Sequence, residues 1–358
     1  MMKVLVTGGA GFVGSAYCRH LIGETDATVL VVDKLTYAAN LEALPTGPRL
    51  HVEPIDVCNR SALEGLIDRY RPDGIVHLAA ETHVDRSIDD PRGFVETNVV
   101  GTYSLLEAAR RYWIGLDGTA RSMFRLLHVS TDEVYGSLGP TGTFTEASPH
   151  APNSPYAATK AASDHLVHAW HRTYGLPVLI SHCSNNYGPY QFPEKLVPLM
   201  VIKALQGQPL PVYGSGANVR DWLHVDDHAR VLHLILTRGR PGERYVVGAR
   251  NERSNLEVVQ SLCRSLDTLA PRPDGRPHAD AITFVADRPG HDRRYALDPG
   301  KVEAAFGWRP QVPFATGLHD AVAWLVAHRG WWTSILATRY AGERLGLARD
   351  VSASPSVA

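Results

Sequence analysis

Val4-Leu-Val-Thr-Gly-Gly-Ala-Gly-Phe-Val-Gly14 reads as a strand, a glycine turn and the start of a helix. Gly8 or Gly9 allows the tight turn, Gly11 lets backbone amides approach a pyrophosphate, and Gly14 lets helix and strand pack closely. The helix that begins at Phe12 and Val13 offers unpaired N–H groups and a positive dipole end to phosphate. A glycine pattern alone also closes hairpins. Here an apolar strand precedes it and an amphipathic stretch, Val13–Ile22, follows.

Outward from this stretch, short apolar runs alternate with helical periods. Strands are expected at Lys3–Thr7, Thr28–Asp33, Arg49–Glu53, Gly74–Leu78, Arg125–Ser130 and Pro177–His182. Helical stretches lie between them at Ser61–Tyr70, Phe94–Tyr112 and Tyr156–Tyr174. That alternation predicts right-handed βαβ units, hence a Rossmann-type doubly wound α/β fold with a parallel sheet covered on both faces. Ligands of such sheets bind beyond the carboxyl ends of the strands. After about Ser184 the rhythm changes to Pro- and Gly-rich turns, short strands and isolated helices, a smaller α/β substrate-binding domain. Leu223–Leu236 again looks like strand plus helix and returns to the first unit. The expected division is 1–184 plus about 218–243 for the first unit and about 185–217 plus 244–330 for the second. Residues 331–358 read as a tail with a fraying end at Ser352–Ala358, and Asp267–Asp280 as a surface loop.

Composition narrows the function classes. The 358 residues are 44% hydrophobic and 20% charged, with a formal net charge of −1. No bulk field draws in nucleic acid or an anionic membrane, so an anionic ligand must be met by local donors. Cys18, Cys58, Cys183 and Cys263 form no CxxC pair and read as reduced, buried small hydrophobes. No signal peptide and no uncharged apolar run of membrane-spanning length is legible, and a cytoplasmic enzyme is the expectation.

Asp33 ends the second expected strand, 19 residues beyond Gly14. A carboxylate there binds both ribose hydroxyls and repels a 2′-phosphate, which favours NAD over NADP. Asp56-Val57 follows the third strand and would meet the adenine, and Leu78-Ala79-Ala80 follows the fourth, where small side chains let the backbone crowd the cofactor. Ser154-Pro-Tyr156-Ala-Ala-Thr-Lys160 sets a phenol and an ammonium one helical turn apart. The ammonium favours phenolate, turning Tyr156 into a base for a sugar hydroxyl. Alone, such a pair is commonly a surface coincidence; joined to the glycine turn it becomes specific.

These motifs resemble the extended short-chain dehydrogenase/reductase family, most closely its dTDP-glucose 4,6-dehydratases, from about Lys3 to Pro310. The discriminating element is Ser130-Thr131-Asp132-Glu133-Val134-Tyr135-Gly136. Removing water needs an acid and a base in one site, and adjacent carboxylates in different environments supply both. Relatives that only epimerise usually lack the pair. The resemblance implies Thr131, Asp132, Glu133, Tyr156 and Lys160 as catalytic residues. It implies that Lys34, Thr82, Asn98, Ser130 and Asn186 join the NAD site, and that NAD is held tightly and regenerated each turnover. Thr82 and Ser87, in the Glu81–Ser87 run, would line the sugar pocket with Thr131 and Asn185. Glu194, Lys195, Leu196, Pro211, Val212 and Tyr213 would bind diphosphate and base. Arg220 is the expected diphosphate clamp, with Asn255, Arg288, His291 and Tyr295 completing the nucleotide site.

The implied cycle is oxidation at carbon 4 with Tyr156 as base, elimination of the 6-hydroxyl by Glu133 and Asp132, and reduction at carbon 6. His182 and His224 depart from the family, which usually has Arg and Tyr there. His165, His168 and His171 recur every three residues, but the spacing drifts around a helix and no metal is expected. A homodimer is expected through a four-helix bundle of Phe94–Tyr112 and Tyr156–Tyr174, whose apolar excess was read in Val99, Leu105, Leu106, Ala162, Leu166, Val167 and Trp170. The alternatives are a UDP-sugar dehydratase or epimerase and a non-catalytic NAD-binding regulator, the latter disfavoured by the retained Tyr156 and Lys160.

Overall fold

In a computed structural model that describes residues 1–346, the chain begins β1 (Lys3–Thr7), α1 (Phe12–Glu24), β2 (Thr28–Val32), β3 (Leu50–Glu53), α2 (Arg60–Tyr70) and β4 (Gly74–His77). Two short helices, α3 (Val84–Asp89) and α4 (Arg92–Phe94), lead through a π-helical segment, Val95–Gly101, into α5 (Thr102–Ile114) and α6 (Gly118–Met123). Then come β5 (Arg125–Thr131), α7 (Pro155–Tyr174), β6 (Val178–Cys183), β7 (Asn185–Tyr187), α8 (Leu196–Leu205), β8 (Leu210–Tyr213), β9 (Val219–His224) and α9 (Val225–Arg238). The chain continues through β10 (Arg244–Val247), β11 (Glu252–Ser254), α10 (Asn255–Leu269), β12 (Ile282–Val285), α11 (Gly300–Phe306), α12 (Phe314–Ala327) and α13 (Arg329–Thr338).

Seven strands form one parallel sheet in the order β10-β6-β5-β4-β1-β2-β3. The order reverses at β1, and the carboxyl ends of β1 and β4 open a crevice there. One face is covered by α1 and α9, whose Tyr17, Leu21, Leu232 and Ile235 are buried against β1 and β2 valines. The other face is covered by α2, α5 and α7, with Leu63, Leu105, Leu106 and Val167 packed on Leu5, Ile75 and Leu126. Strands buried on both faces are why β1, β2 and β4 read as unbroken apolar runs rather than alternating ones. A separate core of α8, α10, α12 and α13 carries two small sheets, β11-β9-β7 and β12-β8.

Several boundaries differ from the sequence reading. Arg244–Val247, grouped there with the smaller unit, pairs with β6 as the edge of the large sheet, and Val302 and Trp308 follow it into that core. β9 joins the small three-stranded sheet although α9 returns to α1. Residues Arg329–Thr338 are helix rather than tail, because Trp332 and Ile335 have apolar surface to bury. Asp267–Leu269 close α10, so the expected loop begins later. Ser352–Ala358 lie outside the described residues. Among the described residues no helix is long and apolar enough to cross a membrane.

Leu105, Leu106 and Val167, read as surplus surface for a partner, are fully buried on the sheet. The apolar residues left outside on that flank include Val95, Val100, Tyr103, Ile114 and Tyr174, with Val99, Ala162, Leu166 and Trp170 half-buried. A π-helical turn, Val95–Gly101, shifts the register ahead of Leu105 and Leu106, while Val167 on α7 is claimed by the sheet face itself.

Candidate active site

The glycine turn closes by steric necessity. Gly8 has φ 68°, and a Cβ there would lie 2.6 Å from the Ala79 nitrogen; one on Gly14 would lie 2.2 Å from the Gly8 oxygen. Gly9 serves packing instead, since its Cβ would meet both Val31 methyls at 2.8 Å. Gly11 caps α1 with no side-chain partner for the first-turn amides of Phe12 and Val13. These N–H groups face the cleft with their dipole end, the arrangement that suits an anion.

Asp33 stands at the end of β2, its Oδ2 accepting from Ala10 N–H at 3.0 Å and its Oδ1 from Leu35 N–H at 2.8 Å. Burial raises its pKa and the two backbone bonds oppose the rise. Lys34 donates to Thr97 Oγ1 at 2.8 Å. A cavity of about 300 Å³ runs from the glycine turn past Asp33, Lys34, Val57 and Leu78-Ala79-Ala80 to Ser130, Thr131, Tyr156, Lys160 and Asn186. Two residues expected there do not line it. Asp56 Oδ1 accepts from Cys58 N–H at 2.8 Å as a turn bond. Asn98, 1% exposed, bonds both backbone groups of Glu81 and Thr159 Oγ1, tying the β4 loop to α7.

A second cavity of about 280 Å³ meets the first at Thr82, Glu133, Asn185, Glu194 and Lys195. Its walls carry Leu196, Pro211, Val212, Tyr213, Arg220, Asn255, Arg288, His291 and Tyr295. Arg220 is held over the Tyr295 ring at 4.2 Å and donates to Val219 and Asp292 carbonyls. Arg288 pairs with Asp85 at 2.6 Å, leaving its Nε buried without a partner. Burial, with Arg288 nearby, brings His291 down to about 4. Ser87 is not on this wall. It is fully buried, donates to Val84 O at 2.6 Å and accepts the Tyr156 N–H at 3.2 Å, anchoring the start of α7.

At the junction of the two cavities stand the acid–base groups. Ser154 caps α7 and Pro155 opens it, which fixes Tyr156 and Lys160 on one buried face. Asp132 is 2% exposed, with Oδ1 accepting from Thr131 Oγ1 at 3.2 Å and Oδ2 without a partner. Burial, then the neighbouring Glu133, pushes its pKa well above the carboxylate range. Glu133 is raised by burial, but Arg288, Arg220 and Lys195 oppose the rise. Adjacent carboxyls are therefore electrostatically distinct.

Tyr156 departs from the expected lowering. Burial, then Glu133, pushes the phenol well above its ordinary value, with a Thr131 hydrogen bond opposing. Lys160 donates to Val129 O at 2.9 Å and is itself brought down to about 8 by burial. Desolvation outweighs the ammonium at one helical turn.

Other groups, two of them in the Glu81–Ser87 run expected as a whole at the sugar pocket, have specific partners that the sequence did not assign. Asp85 joins Arg288 to Tyr213, accepting from the Tyr213 hydroxyl at 3.0 Å. Arg86 pairs with Glu194 at 2.7 Å and stacks on Tyr37 at 4.2 Å. Tyr340 and Arg344 reach the second cavity from a segment read as tail. His165 and His168 are exposed, whereas His150, Asp164 and His182 bring ligand-type atoms within 4.8 Å of one another.

A family profile described as GDP-mannose 4,6-dehydratase matches residues 5–321. A dTDP-glucose 4,6-dehydratase of Neisseria meningitidis is 54% identical over 355 residues, covering 98% of this chain and 100% of that one. The chain belongs to the dTDP-glucose 4,6-dehydratase family. Another of these dehydratases, from Escherichia coli, is 51% identical over 360 residues, covering 97% of this chain and 99% of its own. The structure of the family member DesIV from Streptomyces venezuelae, solved with NAD bound, superposes with a TM-score of 0.85 at 47% identity. That match covers 93% of this chain and all of the other. A UDP-glucose 4-epimerase of Thermus thermophilus shares the fold with a TM-score of 0.81 at 30% identity, over 91% of this chain and all of that one.

Proposed function

We propose that the protein converts dTDP-glucose to dTDP-4-keto-6-deoxyglucose and water, as an NAD-dependent hydro-lyase. The observation that carries this reading is the inequality of Asp132 and Glu133. Burial and Glu133 push Asp132 well above the carboxylate range with Arg220 opposing, whereas Glu133 is opposed by three cations, Arg288, Arg220 and Lys195. One site thus holds the acid and the base that elimination needs, which an epimerase would not use.

The first cavity fits NAD: the glycine turn leaves no room for a Cβ, the α1 amides suit its pyrophosphate, and Asp33 would hold its ribose. When bound, NAD would supply the acceptor and then the donor for the hydrogen that moves from carbon 4 to carbon 6, and in its oxidised form would add a positive charge to this cavity. Tyr156 takes the proton of the 4-hydroxyl, with Lys160 as the nearby cation. The carbonyl formed at carbon 4 acidifies carbon 5. Glu133 removes that proton while Asp132 protonates the departing 6-hydroxyl, releasing water. Glu133 then returns its proton to carbon 5. Thr131 Oγ1 bonds Asp132 at 3.2 Å and adjoins Tyr156, so its hydroxyl can accept the phenol proton as it gives its own to Asp132, which closes the cycle. Arg220, Arg288 and Lys195 bind the diphosphate, Tyr213 and Asn255 the nucleoside.

Two units follow from this assignment, a cofactor-binding large sheet and a smaller nucleotide-sugar-binding layer. The exposed Val95, Val100, Tyr103 and Tyr174 support pairing of two copies through the α5 and α7 flank. A cytoplasmic setting suits the four free cysteines.

Glu133→Gln tests the reading. It keeps the shape and removes the base, so oxidation at carbon 4 should proceed and water loss should stop. Absorbance of reduced nicotinamide should build up on the enzyme with no 6-deoxy product. Product formation near the unmutated rate would reduce Asp132-Glu133 to turn residues.

A further inference from the structure

Asp164 lies one turn beyond Lys160 on α7, has no exposed surface, and plays no part in the cycle above. Its Oδ2 accepts from Ser130 Oγ at 3.0 Å and His182 Nε2 at 2.9 Å, and its Oδ1 lies 3.3 Å from His128 Nε2. It therefore joins α7 to β5, immediately before Thr131-Asp132-Glu133, and to β6. Burial alone would raise its pKa, but His182 and His128 hold it well below the carboxylate range, so it stays ionised. Burial brings His128 and His150 down to about 4, which leaves them neutral at pH 7. A buried carboxylate needs a cation close by. Lys160 is the ammonium on the same helix face, at the favourable spacing of four residues.

We propose that Asp164 is a positioning residue that keeps Lys160 charged and fixes the Tyr156–Lys160 face of α7 against the Thr131-Asp132-Glu133 turn. It contacts neither substrate nor cofactor and acts through Lys160 and Ser130. Tyr156 lies one turn before Lys160 on α7, and the other groups within electrostatic reach of the ammonium are His128 on β5, His77 on β4 and Cys183 at the end of β6. Of these, His77 and His128 are neutral by burial. The thiol of Cys183 is pushed up to about 12, so it too is uncharged near pH 8. Asp164 is thus the standing negative charge that opposes the desolvation of Lys160. The inference rests on the dehydratase reading only in taking the Lys160 ammonium to be required.

Asp164→Asn is close to isosteric and removes the charge. The Lys160 pKa should then fall from about 8, and the alkaline limb of kcat/KM should move down by about one pH unit, the lower end of what one nearby opposite charge contributes. His182→Gln keeps a donor toward Asp164 without an ionisable ring and should leave the limb in place. A readout independent of turnover is the pH dependence of Lys160 acetylation by acetic anhydride, followed by peptide mass on the purified protein. Its midpoint should fall in Asp164→Asn and not in His182→Gln. If the unmutated protein forms no product, the functional reading fails, while the acetylation midpoints still decide this one. An unmoved midpoint in folded Asp164→Asn, or an equal shift in His182→Gln, overturns the proposal. Should Asp164→Asn not fold, Asp164→Ser tests the same midpoint with a smaller side chain.

Discussion

Asp132→Asn should cost activity and yet stabilise the fold, and the gain should depend on pH. The Asp132 carboxyl is 2% exposed and its Oδ2 has no partner. Burial and Glu133 raise its folded pKa well above the ordinary value. A carboxyl whose folded pKa is raised favours folding only at low pH, and that contribution is lost as pH rises from the unfolded value toward the folded one. Keeping it protonated at pH 7 against an unfolded pKa of ~3.9 costs at most about 4 kcal/mol, at ~1.36 kcal/mol per unit. The amide has no such cost but leaves a buried donor poorly paired, at about 1–3 kcal/mol. The gain at pH 7 is therefore at most about 1–3 kcal/mol, a rise of up to a few degrees in Tm. At pH 4, where the unfolded carboxyl is itself half protonated, that cost falls to about 0.5 kcal/mol and the variant should be no more stable than the unmutated protein, or less. Loss of the general acid should meanwhile slow elimination by about 10²–10⁴-fold. Thermal unfolding of both proteins at pH 4 and pH 7, with product formation measured in parallel, decides the matter. A variant less stable at pH 7, or a gain equal at both pH values, refutes the electrostatic account of Asp132.

Asp33→Ala should weaken NAD binding and narrow its preference over NADP, since the side chain also braces Ala10 and Leu35; equal binding of both cofactors by the unmutated protein would make Asp33 a turn residue. Arg344 donates to Ala286 O at 2.6 Å and lies over Tyr213 at 5.2 Å. Arg344→Ala should therefore weaken dTDP several-fold by calorimetry, with NAD affinity unchanged as the check that the loss is local. Tyr103→Asp together with Val100→Asp should convert a dimer to a monomer in light scattering, and a monomeric unmutated protein at micromolar concentration would remove the α5 and α7 pairing.

The large sheet was legible because its strands are buried on both faces and its glycine turn has a residue pattern of its own. Gly14 answers to Gly8 within the turn, whereas Gly8 answers to Ala79 after β4 and Asp33 to Ala10. Ser87 and Asp56 look like site residues in the chain but bond neighbouring backbone, a distinction that only packing reveals. Asp164 was invisible because its partners Ser130 and His182 arrive from two other strands. The phenol of Tyr156 misled for a related reason: the spacing to Lys160 is written in the sequence, but the desolvation that outweighs it is not. The edge strand Arg244–Val247 is short and follows a long excursion, so nothing local assigns it to β6.

The central claim is an internal transfer, in which the hydrogen taken from carbon 4 is the one delivered to carbon 6. Substrate dTDP-glucose carrying deuterium at carbon 4 should give a 4-keto-6-deoxy product that has lost water and holds the deuterium on carbon 6, read by mass and proton NMR, with no net consumption of NAD. Product with the label absent from carbon 6, or turnover that consumes added NAD in proportion, would contradict the account.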